Sequence, residues 1–158
     1  MFSKPQIEHQ WLDKFVGDWT VDSECQMAAD QEVEKSKGRM HCRSIGGLWV
    51  VMENEGQEPN GNTWSSILTL GYDPQNQRYQ GTFIASMMIH LWHYVGVLDP
   101  SCTKLILDTE GPKCDQEGLA KYQDIFEIID TDHWVLSSQI LDENGKWHSF
   151  MSAHHRRK

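Results

Sequence analysis

The segment over residues 87–94, Met-Met-Ile-His-Leu-Trp-His-Tyr, holds the densest group of side chains in the chain that could do chemistry. In an extended strand, successive side chains point to opposite faces, so His90, Trp92 and Tyr94 share one face while Leu91 and His93 share the other. Aromatic walls with a few polar tips are typical of a site for a small organic molecule. The segment therefore predicts part of a ligand pocket. The alternative is that the aromatic rings only pack across strands and the histidine lies at the surface or is satisfied internally.

Four more residues are candidates for the same pocket. If the aromatic stripe faces an interior, Trp64, Met52 and Tyr122 could join it from other strands, although the sequence does not fix their register. Glu53 shares a strand face with Glu55 in an apolar neighbourhood. A buried carboxylate at Glu53 would have a raised pKa and could act as an acid or base. A position at a strand end that faces water is the commoner arrangement for such a residue.

Eight histidines suggest metal binding, but their spacing does not favour it. His90 and His93 have opposite strand parity, and so do His154 and His155, so neither pair can share a metal in a regular strand. A metal site would need side chains from distant parts of the chain, drawn from the following set: His41, His90, His133 and His148. We therefore predict no metal site.

Motifs for covalent or cofactor chemistry are missing as well. The sequence has no G-x-S-x-G elbow, no Gly-rich phosphate loop and no H-E-x-x-H motif. A haem-binding barrel would need one histidine deep in an apolar interior, and the sequence motifs of such barrels are not recognised here. Glu110, Asp115 and Glu117 are interpreted as solvated loop charges. We predict no cofactor.

The overall composition excludes several classes of function. The length of 158 residues fits a single domain over residues 1–158. A net charge of -9 repels phosphate backbones and argues against nucleic-acid binding. No apolar run reaches the ~18 residues of a membrane span. The N-terminus has neither the apolar core nor the cleavage site of a signal peptide, which favours the cytoplasm. The four cysteines contain no CxxC pair and are expected to be free thiols.

The elements that must position these residues are strands. From Trp19 onward, apolar residues recur at alternate positions in segment after segment, and the segments are separated by short turn-rich stretches such as Asn144-Gly145. We count about ten strands, with no connection long enough for a parallel crossover. A meander of this size leaves exposed edges unless it closes. The sequence therefore predicts an all-β, closed, up-and-down antiparallel barrel whose interior, the lumen, could hold one small ligand.

A short helix is predicted before the first strand. Ile7, Trp11, Leu12 and Phe15 lie at helical spacing, and Gly17 follows them. We expect this helix to pack against one end of the barrel. Trp19 would then be the first inward-facing side chain of the first strand.

This set of motifs resembles the calycin superfamily, which includes lipocalins and fatty-acid-binding proteins, and within it a bacterial family of uncharacterised lipocalin-like domains. The matching pieces run nearly end to end: Val16-Gly17-Asp18-Trp19, Ile45-Gly46-Gly47, Leu70-Gly71-Tyr72-Asp73, Gly96-Val97-Leu98-Asp99, Gly145-Lys146 and Arg156-Arg157. The resemblance implies that Trp19 closes one barrel end and that Arg157 or Arg156 packs across it. One departure concerns the strand after the Tyr-Asp turn, where the family usually has Trp-Ile-Asp and this chain has Phe83-Ile84-Ala85. The missing carboxylate at Ala85 argues against a ligand shared with the family.

Three hypotheses on function follow. The first is a binding module that takes an apolar or amphipathic small molecule into the lumen, with no catalytic residue. The second is an enzyme, such as an isomerase or decarboxylase of a small apolar acid, which would need two titratable side chains in one cavity, for example His90 with Glu53 or Tyr94. The third is an interaction protein with a solid barrel, whose aromatic residues form a homodimer interface.

Overall fold

The computed structural model describes residues 1–114 and 116–158, so Asp115, interpreted above as a loop charge, lies outside the described residues. The described residues form a short helix α1 (Ile7–Trp11), a 3₁₀ helix (Leu12–Phe15) and ten strands. The strands are β1 (Gly17–Cys25), β2 (Glu34–Ile45), β3 (Trp49–Gln57), β4 (Thr63–Asp73), β5 (Arg78–Ala85), β6 (Trp92–Leu98), β7 (Lys104–Pro112), β8 (Leu119–Asp130), β9 (His133–Leu141) and β10 (Trp147–Arg157). Each strand pairs with its sequence neighbours, and β10 pairs with β1, which closes the barrel.

Alternation of buried and exposed side chains explains why these segments form barrel strands. In β1, Trp19 and Val21 are buried, whereas Asp18, Thr20 and Asp22 are exposed. A period of two places one set in the lumen and the other in water, and it fixes the register of each ladder. The predicted closed antiparallel barrel of about ten strands, with a short N-terminal helix, is confirmed.

Two predicted strands are shorter than expected. The strand expected over residues 88–98 begins at Trp92, and the strand expected over residues 78–87 ends at Ala85. The apolar residues between them suggested strand, but the first β5–β6 pair joins Phe83 to Trp92, which leaves residues 86–91 as a loop beyond the ladder. No helix in the described part of the chain is long and apolar enough to span a bilayer.

One end of the barrel, the closed end, is filled by the 3₁₀ helix. Phe15 and Leu12 are 0 % and 1 % exposed. Trp19 follows at the start of β1, and its indole N–H donates to the Phe15 carbonyl at 2.9 Å. The Arg157 guanidinium carbon lies 4.1 Å from the centroid of the Trp19 ring, which is cation–π distance. The late arginine therefore packs across this tryptophan, as the resemblance implies.

Aromatic side chains and the His155 ring pack together in the closed half of the barrel. Trp134 stacks on Phe126 at 5.6 Å and on the His155 ring at 3.6 Å, and the edge of Phe15 meets Trp134 at 4.9 Å. Burial lowers the pKa of His155 to about 3, with a smaller opposing effect from its contact with the Ala153 carbonyl. His155 is therefore held neutral inside an aromatic stack.

The wall of the other half, the open half, is incomplete between β6 and β7. The β6–β7 ladder covers residues 95–98 of β6 and 105–108 of β7. Residues 92–94 of β6 pair with β5, and residues 109–112 of β7 pair with β8. In these two fully described segments no ladder joins one to the other, and we call this opening the β6–β7 gap.

Replacing His155 should change how stability depends on pH. The unfolded chain binds a proton at His155 below its usual pKa of 6.5, whereas the folded chain does not until about pH 3. Stability from this group is thus complete above pH 6.5 and falls by about 1.4 kcal/mol per pH unit as the pH decreases toward 3. In the His155→Phe variant, which keeps a ring against Trp134, the free energy of unfolding should fall less steeply between pH 6.5 and 4.5. Denaturant titrations at several pH values measure this slope.

His93→Phe is the matched control, because His93 is exposed on the outer face of β6. Its slope should equal that of the wild type. Equal slopes for His155→Phe and the wild type would contradict a neutral, buried His155; His133 and His154, the other histidines that act on its pKa, remain in both proteins.

Candidate functional site

The open half of the lumen differs from the closed half in composition and exposure. Its inward-facing side chains include several that keep part of their solvent exposure: Ser36, Asn54, Trp64, Phe83, Trp92 and Asp124. In the closed half the corresponding positions are almost fully buried, as at Leu70, Leu105 and Leu107. Solvent therefore reaches inward from the open end, and the side chains it meets are aromatic, small or polar.

A polar cluster of Tyr94, Asp124 and Ser138 lies within this half. The Tyr94 hydroxyl donates to Asp124 Oδ2 at 2.5 Å, and the Ser138 hydroxyl donates to Asp124 Oδ1 at 2.6 Å. Asp124 and Ser138 are paired directly across the β8–β9 ladder, so the register of these strands sets the second bond. Each carboxylate oxygen of Asp124 therefore accepts one hydroxyl and keeps acceptor capacity for another partner.

Burial dominates the electrostatics of this cluster. It raises the pKa of Asp124, and the hydrogen bonds from Ser138 and Tyr94 lower it in part. Burial and the neighbouring Asp124 carboxylate raise the pKa of Tyr94 well above its usual range, so its hydroxyl keeps the proton and acts as a donor. A carboxyl group with a pKa raised by burial and by specific partners is a frequent mark of a binding or catalytic site.

Thr109 adds a polar group with an unmet hydrogen bond. Thr109 is 8 % exposed, and its hydroxyl is one of two buried side-chain N or O atoms in the described residues that have no hydrogen-bond partner. Thr109 pairs with Tyr122 on β8, two positions from Asp124, so it is a diagonal neighbour of Asp124 at roughly 7–8 Å between Cα atoms. Buried hydroxyls are normally satisfied, which makes Thr109 a candidate contact for a bound molecule.

Aromatic rings line the open end beside the β6–β7 gap. The edge of the Trp92 ring meets His90 at 4.7 Å and Tyr122 at 5.1 Å. Trp92 lies directly over Gly111, where any Cβ would collide with the ring. The His90 ring contacts the carbonyl of Glu110 at 3.1 Å, so a side chain occupies the place of a missing ladder bond. Trp92 and His90 thus fill the gap with side chains rather than with backbone pairing.

The predicted pocket residues are distributed as follows. Trp92, Tyr94 and Tyr122 face the lumen and lie in one region, with Tyr94 3 % and Tyr122 4 % exposed. His90 precedes β6 and lies at the rim rather than on a strand face. Trp64 lies across the open end, where its indole N–H donates to Ser36 Oγ at 3.0 Å.

Met52 and Glu53 lie elsewhere. Met52 faces the lumen but belongs to the buried core at 2 % exposure. Glu53 is exposed on the outer face of β3 and forms an ion pair with Arg43 at 3.5 Å. Neighbouring residues of a strand face opposite sides, so Met52 and Glu53 cannot both face the lumen. The pairing of His90 with Glu53, on which the enzyme hypothesis drew, does not occur in the structure.

Asp124, Ser138 and Thr109 were not identified from the sequence. Asp124 occupies an inward position between Tyr122 and Phe126 in β8. A carboxylate at the apolar parity of an alternating strand was the available signal. Parity alone does not prove that Asp124 faces inward, because a single bulge shifts parity. The three-dimensional register is needed to show that Ser138 faces the same carboxylate.

Metal and haem hypotheses depend on the histidines. Among residues 1–114 and 116–158, no three His, Cys, Asp or Glu side chains come close enough to hold a metal ion. His154 faces outward and contacts His133 at 2.9 Å, whereas His155 faces the lumen, as their opposite parity predicts. One face of the His155 ring is covered by Trp134. Cys25, Cys42 and Cys102 are free thiols.

Two concave regions are prominent on the molecule. One, of about 410 Å³, lies at the open end and is lined by residues 86–90 and Pro112, beside the β6–β7 gap. The larger one, of about 720 Å³, is an outer groove over β2–β5 lined by side chains such as Glu53, Ser65, Ile67 and Ile84. The outer groove carries exposed ion pairs, including Arg39 with Glu55, and lies outside the lumen.

All seven tryptophans lie in the described part of the chain. One of them, Trp49, is exposed, at 39 %. Trp11, Trp19 and Trp134 are buried in the core. The aromatic residues therefore mostly line the interior, which weakens the basis for an aromatic homodimer interface.

Comparisons with known proteins agree on the fold. Rv2717c from M. tuberculosis is similar over 98% of this chain and 99% of its own, with 12% identity and a TM-score of 0.68. Two further structures are also similar: EF1p2_mFAP2b bound to DFHBI (9% identity, 95% and 98% covered, TM-score 0.52) and a fluorescence-activating β-barrel designed de novo (12% identity, 92% and 95% covered, TM-score 0.50). No curated protein matches the sequence significantly. The match that identifies the family extends over residues 4–157, and the chain belongs to the family described as protein of unknown function DUF1579.

Proposed function

We propose that the chain is a binding protein that takes a small apolar or amphipathic molecule into the open half of its lumen. The observation that carries this proposal is the polar cluster in the open half, in which the buried Tyr94 and Ser138 hold the half-buried Asp124, with the unpartnered hydroxyl of Thr109 beside it. Such groups are costly to bury, so their presence in an otherwise aromatic interior needs a compensating role. Binding the polar end of a ligand is that role.

The walls of the open half suit the apolar part of such a ligand. Trp92, Phe83 and Trp64 face inward and remain partly exposed. Covering their apolar surface contributes roughly 25 cal/mol per Å² removed from water. The concave region at the open end lies beside the β6–β7 gap, which is closed by the side chains of Trp92 and His90 and not by backbone pairing.

The similar structures support the proposal at the level of fold. One of them, EF1p2_mFAP2b, is bound to DFHBI. A protein of similar fold can therefore hold a small molecule. Because its identity to this chain is 9%, the likeness says nothing about which ligand this chain takes.

The wider assignment belongs to the same proposal. We place the chain as one domain over residues 1–158 in the calycin superfamily, from a bacterial source and a cytoplasmic location. The Gly17-x-Trp19 motif and the packing of Arg157 over Trp19 support the superfamily. The polar lumen favours the binding hypothesis over a solid barrel that only forms a homodimer.

Filling the lumen should abolish ligand binding. Ser66 faces inward on β4 at 8 % exposure, and its neighbour Ser65 is exposed on the outer face. We expect Ser66→Phe to weaken binding of the apolar fluorophore N-phenyl-1-naphthylamine at least tenfold, because the added ring occupies the open half. Fluorescence titration measures the affinity, and circular dichroism checks that the barrel is folded, since overpacking costs typically 1–3 kcal/mol.

Ser65→Phe is the matched control, because it adds the same ring to the outer groove. Its affinity should equal that of the wild type. If Ser65→Phe loses binding and Ser66→Phe keeps it, the ligand lies in the outer groove and the proposal is wrong.

Asp124→Asn should stabilise the protein at neutral pH. A carboxyl group whose folded pKa is raised contributes stability that is complete below its unfolded pKa of about 3.8 and is lost as the pH rises through the folded pKa. Asparagine does not titrate, so the variant should be more stable than the wild type at pH 7, and the difference should disappear near pH 3. Chemical denaturation at the two pH values provides the test, and a less stable variant at pH 7 would show that Asp124 serves structure instead.

A further inference from the structure

We infer that the ligand bound in the open half carries a protonated amine on an apolar, preferably aromatic, body, and that the ammonium group binds the Asp124 carboxylate. This inference rests on the proposed function and specifies its chemical class.

The distribution of charge in the lumen is the first step. All fourteen lysine and arginine residues lie within the described ranges, and all are exposed except Lys113, which is half-buried in the loop after β7. In the open half of the described barrel, Asp124 is the inward-facing Asp or Glu that packs among buried side chains, whereas Glu34, which pairs with Cys25, is exposed at the rim. The polar end of a ligand that enters the lumen therefore meets a carboxylate, and no lysine or arginine of the described chain is buried there.

The hydrogen bonds around Asp124 are the second step. The hydroxyl groups of Tyr94 and Ser138 donate to opposite oxygens of the carboxylate, an arrangement that favours its ionised form. Ionised carboxylates accept more than two hydrogen bonds, so each oxygen can still accept from an ammonium N–H. The Thr109 hydroxyl, which is buried and has no partner among the described residues, is a second acceptor, diagonally across the β7–β8 ladder from Asp124.

The aromatic walls are the third step. Trp92 and Tyr122 meet edge to face at 5.1 Å near this carboxylate, and indole and phenol faces attract cations. The net charge of -9 attracts cations to the protein as a whole. Electrostatics at long and short range thus favour the same sign of ligand.

A carboxylic acid fits the site poorly. Its carboxylate would approach Asp124 with no buried lysine or arginine in the described chain to compensate, and two carboxylates that share a buried site cannot both stay ionised. The acid substrate considered in the enzyme hypothesis is therefore the less suitable class for this lumen.

Three probes with the same aromatic body separate the classes: 2-(2-naphthyl)ethylamine, 2-(2-naphthyl)ethanol and 2-naphthylacetic acid. Isothermal titration calorimetry on the full chain at pH 8, where an alkylamine is protonated like a lysine side chain, measures each affinity. We expect the amine to bind at least tenfold more tightly than the alcohol and the acid to bind most weakly. Asp124→Asn should make the amine and alcohol affinities equal, while Thr109→Val should weaken the amine by about threefold to tenfold.

The matched control for charge is Asp108→Asn, which removes an exposed carboxylate from the outer face of β7. Asp108→Asn should leave the preference for the amine unchanged. If net charge alone caused the preference, Asp108→Asn would reduce it as much as Asp124→Asn does. Equal binding of amine and alcohol by the wild type would overturn the amine inference and leave the proposed function standing. Failure of all three probes to bind, with Ser66→Phe indistinguishable from the wild type, would overturn the proposed function and this inference together.

Discussion

The pairing of the first strand with the last is the interaction on which the barrel depends. β1 and β10 are joined from Trp19–Arg157 to Cys25–Met151, and without this ladder both strands would expose an edge to water or to other chains. The same pairing brings Arg157 beside Gly17 and over Trp19. Closure of the sheet and closure of the barrel end are therefore achieved by one set of contacts, contributed by segments nearly as far apart in sequence as the chain allows.

Closure divides the interior into two parts with different physical roles. The closed half buries large aromatic rings such as Phe15, Phe126 and Trp134 and supplies most of the apolar burial that opposes chain entropy. The open half carries a carboxylate and hydroxyl groups, and burying such groups lowers stability unless each forms hydrogen bonds. Such a division, in which one part stabilises and another carries costly polar groups, is common where a site has been placed in a small domain.

Sequence periodicity was sufficient for the architecture but insufficient for the site. Alternation at Trp19 and Val21 and the Asn144-Gly145 turn predicted strands and their antiparallel order, because period two and turn chemistry are local properties. Tyr94 and Trp92 were assigned to the lumen by the same rule. The partner of Tyr94 was missed, because the contact with Asp124 spans thirty positions in sequence and depends on the register of several ladders at once.

The errors have equally local causes. His90 was placed on a strand that begins only at Trp92, since apolar composition cannot show where a neighbouring strand stops pairing. Glu53 and its neighbour Met52 were both candidates for the pocket, but strand geometry allows only one of them to face inward. Side-chain parity, applied consistently along each strand, would have excluded Glu53 and pointed to Asp124.

The short β6–β7 ladder also determines where neighbouring strands of the barrel separate most easily. Four residue pairs hold this seam, compared with nine between β7 and β8. Transient separation of strands therefore needs the fewest broken backbone hydrogen bonds at this seam. A ligand could then enter or leave by separation of β6 from β7, while the aromatic packing at the closed end stays in place.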